Sequence, residues 1–177
     1  MIFIKTIDYL ANEMHKANPK YLREEYKYGL DIIFNTLGTV VLVIAISLIL
    51  GLVKEAVIVL ISFGVIRFFS GGKHLHTSIA CMLTTALLIY LIIFIHLNIY
   101  FSDAMIYTLN IISLIIFSIF APSNIEQAIK IKIDYKIMLK IISIAFVLIS
   151  VVIHSELLTL TIFVQALTTI EIRNGVH

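Results

Sequence analysis

The sequence predicts an all-α polytopic membrane protein: about six transmembrane helices preceded by an amphipathic N-terminal helical hairpin. Hydrophobic residues make up 60% of the 177 residues and charged residues only 14%, whereas a soluble domain is nearer half apolar and a quarter charged. Apolar runs long enough to cross a bilayer follow one another, and no alternating strand pattern competes with them. We therefore expect one integral membrane domain over residues 1–177.

Residues 1–29 are predicted to form the hairpin, lying on the surface of the bilayer. Asn18 and Pro19 fit an N-cap and a first helical position, which would start the second helix of the hairpin. A docking surface for a partner peptide is an alternative role for this segment. The first helix is indicated by apolar residues at helical spacing with polar residues between them: Phe3, Ile7, Leu10 and Met14.

Residues 30–172 are predicted to form the six-helix membrane bundle. The second span has only 11 apolar residues before Arg67, and even counted to Ser70 it is shorter than a hydrocarbon core of roughly 30 Å. This shortness would place Arg67 at or just inside a membrane face. The six predicted spans are 32–53, 56–66, 78–97, 104–121, 141–153 and 157–172.

Turn and capping residues separate these runs. Gly51 is expected to begin a turn with Lys54 and Glu55 at its tip, and Pro122 is expected to stop the fourth span. Thr77 or Ser78 is a natural N-cap for the third span. A polar link covers residues 123–140, and the fifth span is short unless Lys136 and Lys140 snorkel from its end.

The distribution of lysine and arginine predicts the orientation. With six spans and the N-terminus inside, the inner segments contain twelve of these residues and the outer loops contain only Lys54. Such a bias places both termini, the segment around residue 70 and the 123–140 link in the cytoplasm. We see no removable signal peptide at the start, and the net charge of +2 does not suggest nucleic acid as a partner.

Residues 67–81 contain the groups capable of polar chemistry. They include the only cysteine, Cys81, with His74 seven residues before it. A straight helix would separate the two by roughly 10 Å, but Gly71 and Gly72 permit a bend that folds His74 back over the start of the third span. A cysteine at a helix N-terminus beside an imidazole is a candidate nucleophile.

Other interpretations of these residues remain open. In one of them, Cys81 is a small apolar residue that only fills space, His74 is a polar residue at the membrane boundary, and Arg67 snorkels to that boundary. A metal site formed by His74, His76 and Cys81 lacks a fourth ligand and any standard metal-binding spacing, so we expect no metal and no cofactor.

The order Arg67, Gly71, Gly72, His74 and Cys81 resembles the signature of the AgrB family, the membrane endopeptidases of accessory gene regulator quorum sensing. Residues 28–31, Tyr-Gly-Leu-Asp, also resemble that family, which more often has Glu at the position of Asp31. The resemblance covers essentially the whole chain.

This resemblance implies a cysteine protease that acts on an AgrD-like precursor peptide at the inner membrane face. Cys81 would be the nucleophile and His74 the base, and the acyl-enzyme would be captured by a side chain of the peptide to give a cyclic thiolactone or lactone. The resemblance also implies a homodimer. A third catalytic residue is left open among Glu126, Asp134, Asp31 and Ser70.

Four lysines of the link are candidates for attracting an acidic precursor tail: Lys130, Lys132, Lys136 and Lys140. The alternative is that they only set the topology and meet anionic lipid. For the protein as a whole, the alternatives are a peptide exporter or export helper that does not cut its cargo, and a purely structural membrane subunit.

Overall fold

The computed structural model of the protein describes residues 2–72, 77–123 and 133–170, without the side chains of residues 2–5 and 133–134. This part of the chain is all α-helical, as predicted, apart from one isolated backbone bridge between Gly71 and Ser123. Its seven helices are α1 (Ile2–Ala17), α2 (Arg23–Leu50), α3 (Val53–Ser70), α4 (Ser78–Asn98), α5 (Asp103–Phe120), α6 (Ile133–Ile153) and α7 (Glu156–Thr169).

Helices α2 to α7 run alternately up and down, so the bundle has two ends. At the Cys81 end, α3 and α7 finish and α4 begins, and Gly71 meets Ser123 there. At the opposite end, which we call the His96 end, the His154 ring lies 3.1 Å from the Asp103 carboxylate, and the His96 ring lies 3.3 Å from the Glu156 carboxylate. Of the residues singled out in the sequence, Arg67, Gly71, Gly72 and Cys81 therefore lie at the Cys81 end.

Helix α7 is the central helix of the bundle and packs against α3, α4, α5 and α6. The interior is built from large apolar side chains such as Phe63 and Phe117, which are almost completely buried. Between α2 and α4, the Tyr90 hydroxyl donates to the Val43 carbonyl at 2.6 Å. On the outside of the bundle, Ile49 and Val152 are 84% and 85% exposed, as expected where lipid covers the surface.

The helices identify a multi-pass membrane protein. Four stretches are long and apolar enough to cross a membrane: α2, α4, α5 and residues 135–153 of α6. Helix α3 has 18 residues but contains Lys54, Glu55 and Arg67, and α7 has only 14 residues. A total of six spans therefore stays a prediction.

The second helix of the N-terminal hairpin was wrongly placed. No helix starts at Asn18 and Pro19; α2 starts at Arg23 and continues without a break into the first span. Its first turn is stabilised by the Glu25 carboxylate, which accepts from the Leu22 N–H at 2.8 Å. Helix α1 packs against this extension, where Arg23 Nη2 lies 3.0 Å from the Asp8 carboxylate.

Two further boundaries differ from the prediction. Gly51 ends α2 in a left-handed conformation, as expected, but Lys54 and Glu55 lie in the first turn of α3 rather than at the tip of a turn. An acidic residue in a first turn interacts favourably with the helix dipole. Helix α6 starts at Ile133 rather than at residue 141, so Lys136 and Lys140 lie on a helix and not in a loop.

Other boundaries are confirmed. Helix α4 starts at Ser78 with Thr77 as its N-cap, and α5 ends at Phe120, before Pro122. Helix α3 ends at Ser70, directly before the two glycines. These ends depend on local capping and on proline and glycine geometry, which a sequence displays directly.

Candidate active site

Cys81 lies in the first turn of α4. The Thr77 hydroxyl accepts from the Ala80 N–H at 3.2 Å, and the Cys81 N–H donates to the Thr77 carbonyl at 3.0 Å. The cysteine is free and buried, with 6% of its surface exposed. The positive end of the α4 dipole is here, and it favours negative charge on a nearby sulfur. The position suits a thiolate that is shielded from bulk water.

Arg67 lies one turn before the end of α3, and its side chain reaches toward the glycines. A Cβ atom placed on Gly72 would lie 3.4 Å from Arg67 Nη1. The guanidinium interacts electrostatically with Cys81 of α4 and with Tyr28 of α2. Helices α2, α3 and α4 therefore bring a cation, a thiol and a phenol into one region.

Asp31 connects α2 to the same first turn of α4. The Ser78 hydroxyl donates to the Asp31 carboxylate at 3.2 Å, three residues before Cys81. The segment 28–31, which is part of the family resemblance, thus contributes Tyr28 near Arg67 and Asp31 at the start of α4. This contact fixes how α2 approaches the helix that holds the thiol.

Gly71 and Gly72 have backbone conformations that favour glycine, with φ angles of 71° and 147°. The Ser123 N–H donates to the Ser70 carbonyl at 3.0 Å, and the Gly72 N–H donates to the Ser123 carbonyl at 3.3 Å. A Cβ atom on Gly71 would overlap the Ser123 carbonyl oxygen. The expectation that this pair adopts conformations closed to other residues is confirmed.

Gln165 of α7 completes the surroundings of the glycines. Its side-chain Nε2 donates to the Gly71 carbonyl at 2.8 Å and to the Ser70 hydroxyl at 3.1 Å. The side chain is fully buried. Ser70, one of the four residues considered as a third catalytic group, thus contacts Gln165.

The sequence analysis did not identify Gln165 or Ser123 as part of this region. Gln165 had a detectable signal, because it is the only glutamine within the predicted spans. Ser123 had none, since it contributes backbone N–H and carbonyl groups, which every residue type except proline supplies.

Of the five residues predicted for the site, the structure describes four. Arg67, Gly71, Gly72 and Cys81 come together at one end of the bundle, with Gly72 beside Arg67 and Arg67 in the electrostatic range of Cys81. His74 lies outside the described residues, so the bend that would bring its ring to Cys81 stays a prediction. Glu126 and the side chain of Asp134 also lie outside them.

The four lysines divide in a similar way. Lys130 and Lys132 lie outside the described residues, while Lys136 and Lys140 lie on α6. Lys140 Nζ donates to the Ser118 carbonyl at 2.9 Å, near the C-terminal end of α5. This contact satisfies a carbonyl in the last turn of that helix, where a cation is favourable.

Metal-ligating groups do not gather in the residues that the structure describes: no set of three or more His, Cys, Asp or Glu side chains there could hold an ion. Of the triplet considered from the sequence, His74 and His76 lie outside that part. The described geometry is that of a buried thiol near a guanidinium and a helix N-terminus, which is an arrangement suited to nucleophilic catalysis.

Comparison with known proteins agrees with the resemblance noted in the sequence. The profile of the family described as AgrB, accessory gene regulator B, matches residues 4–172. The accessory gene regulator protein B of Staphylococcus saprophyticus is 27% identical over 124 residues, which cover 68% of this chain and 65% of that protein. An AgrB-like protein of Clostridium acetobutylicum is 29% identical over 100 residues, covering 56% of this chain and 48% of that protein. No solved structure shows significant similarity to the chain.

Proposed function

The chain belongs to the accessory gene regulator B family, and from that premise we propose that it is a membrane cysteine endopeptidase. It removes the C-terminal tail of an AgrD-like precursor peptide and cyclises the remainder to a thiolactone or lactone. The observation that supports this best is the position of Cys81, buried in the first turn of α4 and in the electrostatic range of Arg67. A nearby cation favours the thiolate form of a cysteine, which is the nucleophilic form.

In the first step, the Cys81 sulfur attacks the carbonyl carbon of the scissile peptide bond. The carbon–nitrogen bond breaks, His74 supplies a proton to the departing nitrogen, and the tail leaves as a free amine. The rest of the peptide stays attached to Cys81 as a thioester. In this proposal His74 has first taken the thiol proton, so the proton balance closes within the pair.

In the second step, a thiol or hydroxyl group of the same peptide attacks the thioester carbon. Its proton passes through His74 to Cys81 as the carbon–sulfur bond to the enzyme breaks, and the ring closes. Exchange of one thioester for another needs little driving force, so the competing reaction with water must be suppressed. The burial of Cys81 supports this, and the proximity of the capturing group on the same peptide favours ring closure.

Two features support stabilisation of the charged species in both steps. The first N–H groups of a helix have no partner within the helix, and those of α4 lie beside Cys81. The Arg67 guanidinium adds a full positive charge nearby. Together they favour the thiolate and the oxyanion that forms when it attacks.

We further propose that the Cys81 end of the bundle faces the cytoplasm and that the precursor approaches from there. Arg67, Lys136 and Lys140 lie at or near this end, and Lys54 lies at the His96 end. This distribution follows the positive-inside rule. Attraction of an acidic precursor tail by the lysines and a homodimeric state are part of the same proposal.

Co-expression of the chain with its precursor peptide, followed by mass spectrometry, tests the function. We expect a cyclic product, lighter by one water than the tail-less linear peptide with a free C-terminal carboxyl group, that is absent with Cys81→Ser and with His74→Ala. A non-catalytic exporter would instead secrete peptide normally with Cys81→Ala, and a linear uncut peptide in the medium would reject the endopeptidase.

A further inference from the structure

We propose that Gln165 is a positioning residue of this site, which holds the Gly71 carbonyl and thereby sets the course of the chain as it leaves α3. The inference rests on the proposed function for what the site does. It stands on the described contacts for what Gln165 does. Neither the family resemblance nor the sequence pattern assigned this residue a role.

Two separate parts of the molecule contact the glycines: the Gln165 side chain of α7 and the backbone of Ser123. Gln165 Nε2 of α7 donates to the Gly71 carbonyl at 2.8 Å, and the Ser123 backbone, after α5, pairs with Ser70 and Gly72 at 3.0 and 3.3 Å. Glycine has more accessible backbone conformations than any other residue. The contacts from α7 and from the Ser123 backbone together favour the one that is observed.

Gly72 connects this arrangement to Arg67. A Cβ atom on Gly72 would lie 3.2 Å from the Thr168 hydroxyl, 3.4 Å from Arg67 Nη1 and 3.5 Å from Gln165 Nε2. The Gln165 amide and the Arg67 guanidinium thus pack around the same backbone atom. Loss of the Gln165 amide would allow Gly72 to shift, and Arg67, which packs against Gly72, would shift with it. Because Arg67 interacts electrostatically with Cys81, the thiol would experience a different charge environment.

The Gly71 carbonyl determines how the Gln165 amide is oriented. The Gly71 carbonyl can only accept, so the amide nitrogen must face it, and this leaves Gln165 Oε1 buried without a hydrogen-bond partner among the described residues. A buried acceptor without a partner is costly. An apolar side chain would avoid that cost but would remove the donor from the Gly71 carbonyl, so a side chain that makes this contact must carry a hydrogen-bond donor.

Asn110 of α5 provides a matched control. Its Nδ2 also makes two hydrogen bonds, to the Ile106 carbonyl at 2.9 Å and to the Thr159 hydroxyl at 3.2 Å. Its Oδ1 is likewise buried without a partner in the described part of the chain. Asn110 does not contact the glycines, so Asn110→Leu measures what loss of a buried amide does to the bundle in general.

The experiment uses Cys81 as its own reporter, because it is the only cysteine in the chain. The full-length protein is purified in detergent, and the rate of Cys81 alkylation by iodoacetamide is followed from pH 5 to pH 10. The variants are Gln165→Met, which keeps the length of the side chain but cannot donate, and Asn110→Leu. Only monodisperse protein is assayed.

We expect Gln165→Met to change the pH profile of alkylation and to alter the rate at neutral pH by about tenfold or more, since small displacements in a site have effects of that size. Asn110→Leu is expected to keep the wild-type profile. The inference is overturned if Gln165→Met has the wild-type profile, or if Asn110→Leu changes it to the same extent. No peptide is used, so a failure to detect cyclic product would count against the proposed function and not against the role of Gln165.

Discussion

The carbonyl oxygen of Ser123 lies where a side chain on Gly71 would have to begin. The two residues are joined as an isolated parallel bridge, although α4 and α5 separate them in the chain. Close approach of two backbones explains why this position needs glycine, in addition to its φ angle of 71°.

Gly71→Ala is expected to disrupt the site. The alanine methyl would overlap the Ser123 carbonyl, and a non-glycine residue at positive φ adds a cost of about 1–3 kcal/mol. We expect a lower thermal midpoint in detergent and loss of cyclic product. Gly64→Ala is the control, because Gly64 is inside α3 with nothing within 4 Å of its Cβ position; its stability should be equal to or higher than that of the wild type. Equal behaviour of the two variants would contradict the explanation.

Arg67→Gln is expected to slow alkylation of Cys81 at neutral pH by about tenfold, which corresponds to about 1.4 kcal/mol of lost stabilisation of the thiolate. The reason is the removal of the positive charge that interacts with Cys81. Arg67→Lys keeps the charge and should lie between the variant and the wild type. Alkylation rates measured by intact-protein mass spectrometry decide the question, and a wild-type rate for Arg67→Gln would show that the guanidinium does not act on the thiol.

Docking of α1 is expected to weaken in acid. The pKa of Asp8 is lowered from its ordinary value of 3.8, chiefly by the hydrogen bond from Lys27, with a smaller contribution from Arg23. Because the folded-state pKa is the lower one, the stabilisation is present above the ordinary value and is lost as the pH falls through the folded-state value. Hydrogen exchange of α1, corrected for intrinsic rates between pH 2 and pH 6, should show faster opening at the acid end.

In Asp8→Asn, the opening of α1 should no longer depend on pH between pH 2 and pH 6, because the titrating carboxylate is absent. Glu13→Gln is its control, since Glu13 pairs at 2.8 Å with Lys16 of the same helix and does not connect α1 to α2. An unchanged acid response in Asp8→Asn would assign the effect to other groups. The ion pairs of Asp8 with Arg23 and Lys27 are partly exposed to solvent, so added salt should reduce the difference in α1 opening between the wild type and Asp8→Asn.

Reversing the charge of the lysines should have unequal effects. Lys130→Glu combined with Lys132→Glu is expected to raise the KM for an acidic-tailed precursor by about tenfold, because an ion pair in water contributes up to about 1 kcal/mol and two of them would be lost. Lys140→Gln should act less on KM and more on stability, since its ammonium group binds the Ser118 carbonyl. Lys54→Glu, at the His96 end, is the control. An unchanged KM in the double variant would contradict a role in binding the precursor tail and would favour the alternative, in which the lysines set the topology and contact anionic lipid.

Much of the architecture could be predicted because it depends on local chemistry. The apolar runs, the Thr77 cap and the end of α3 before Gly71 are visible as short patterns. The errors came from places where a local signal was outweighed: Asn18 and Pro19 resemble a helix start, yet the helix begins at Arg23, where the Glu25 carboxylate caps the Leu22 N–H. The start of α6 at Ile133 was missed because its lysines suggested a loop.

The sequence by itself determined the membrane class and the family and led to the proposal of Cys81 as nucleophile, since each depends on composition or on residues within one short segment. Only the tertiary structure decided that Gln165, Ser123 and Asp31 surround that segment. Their contacts join residues 47 to 95 positions apart in the two side-chain cases, and such contacts arise from how the helices pack. Helix packing is a property of whole faces, so no local pattern of residues specifies which distant side chain meets a given backbone atom.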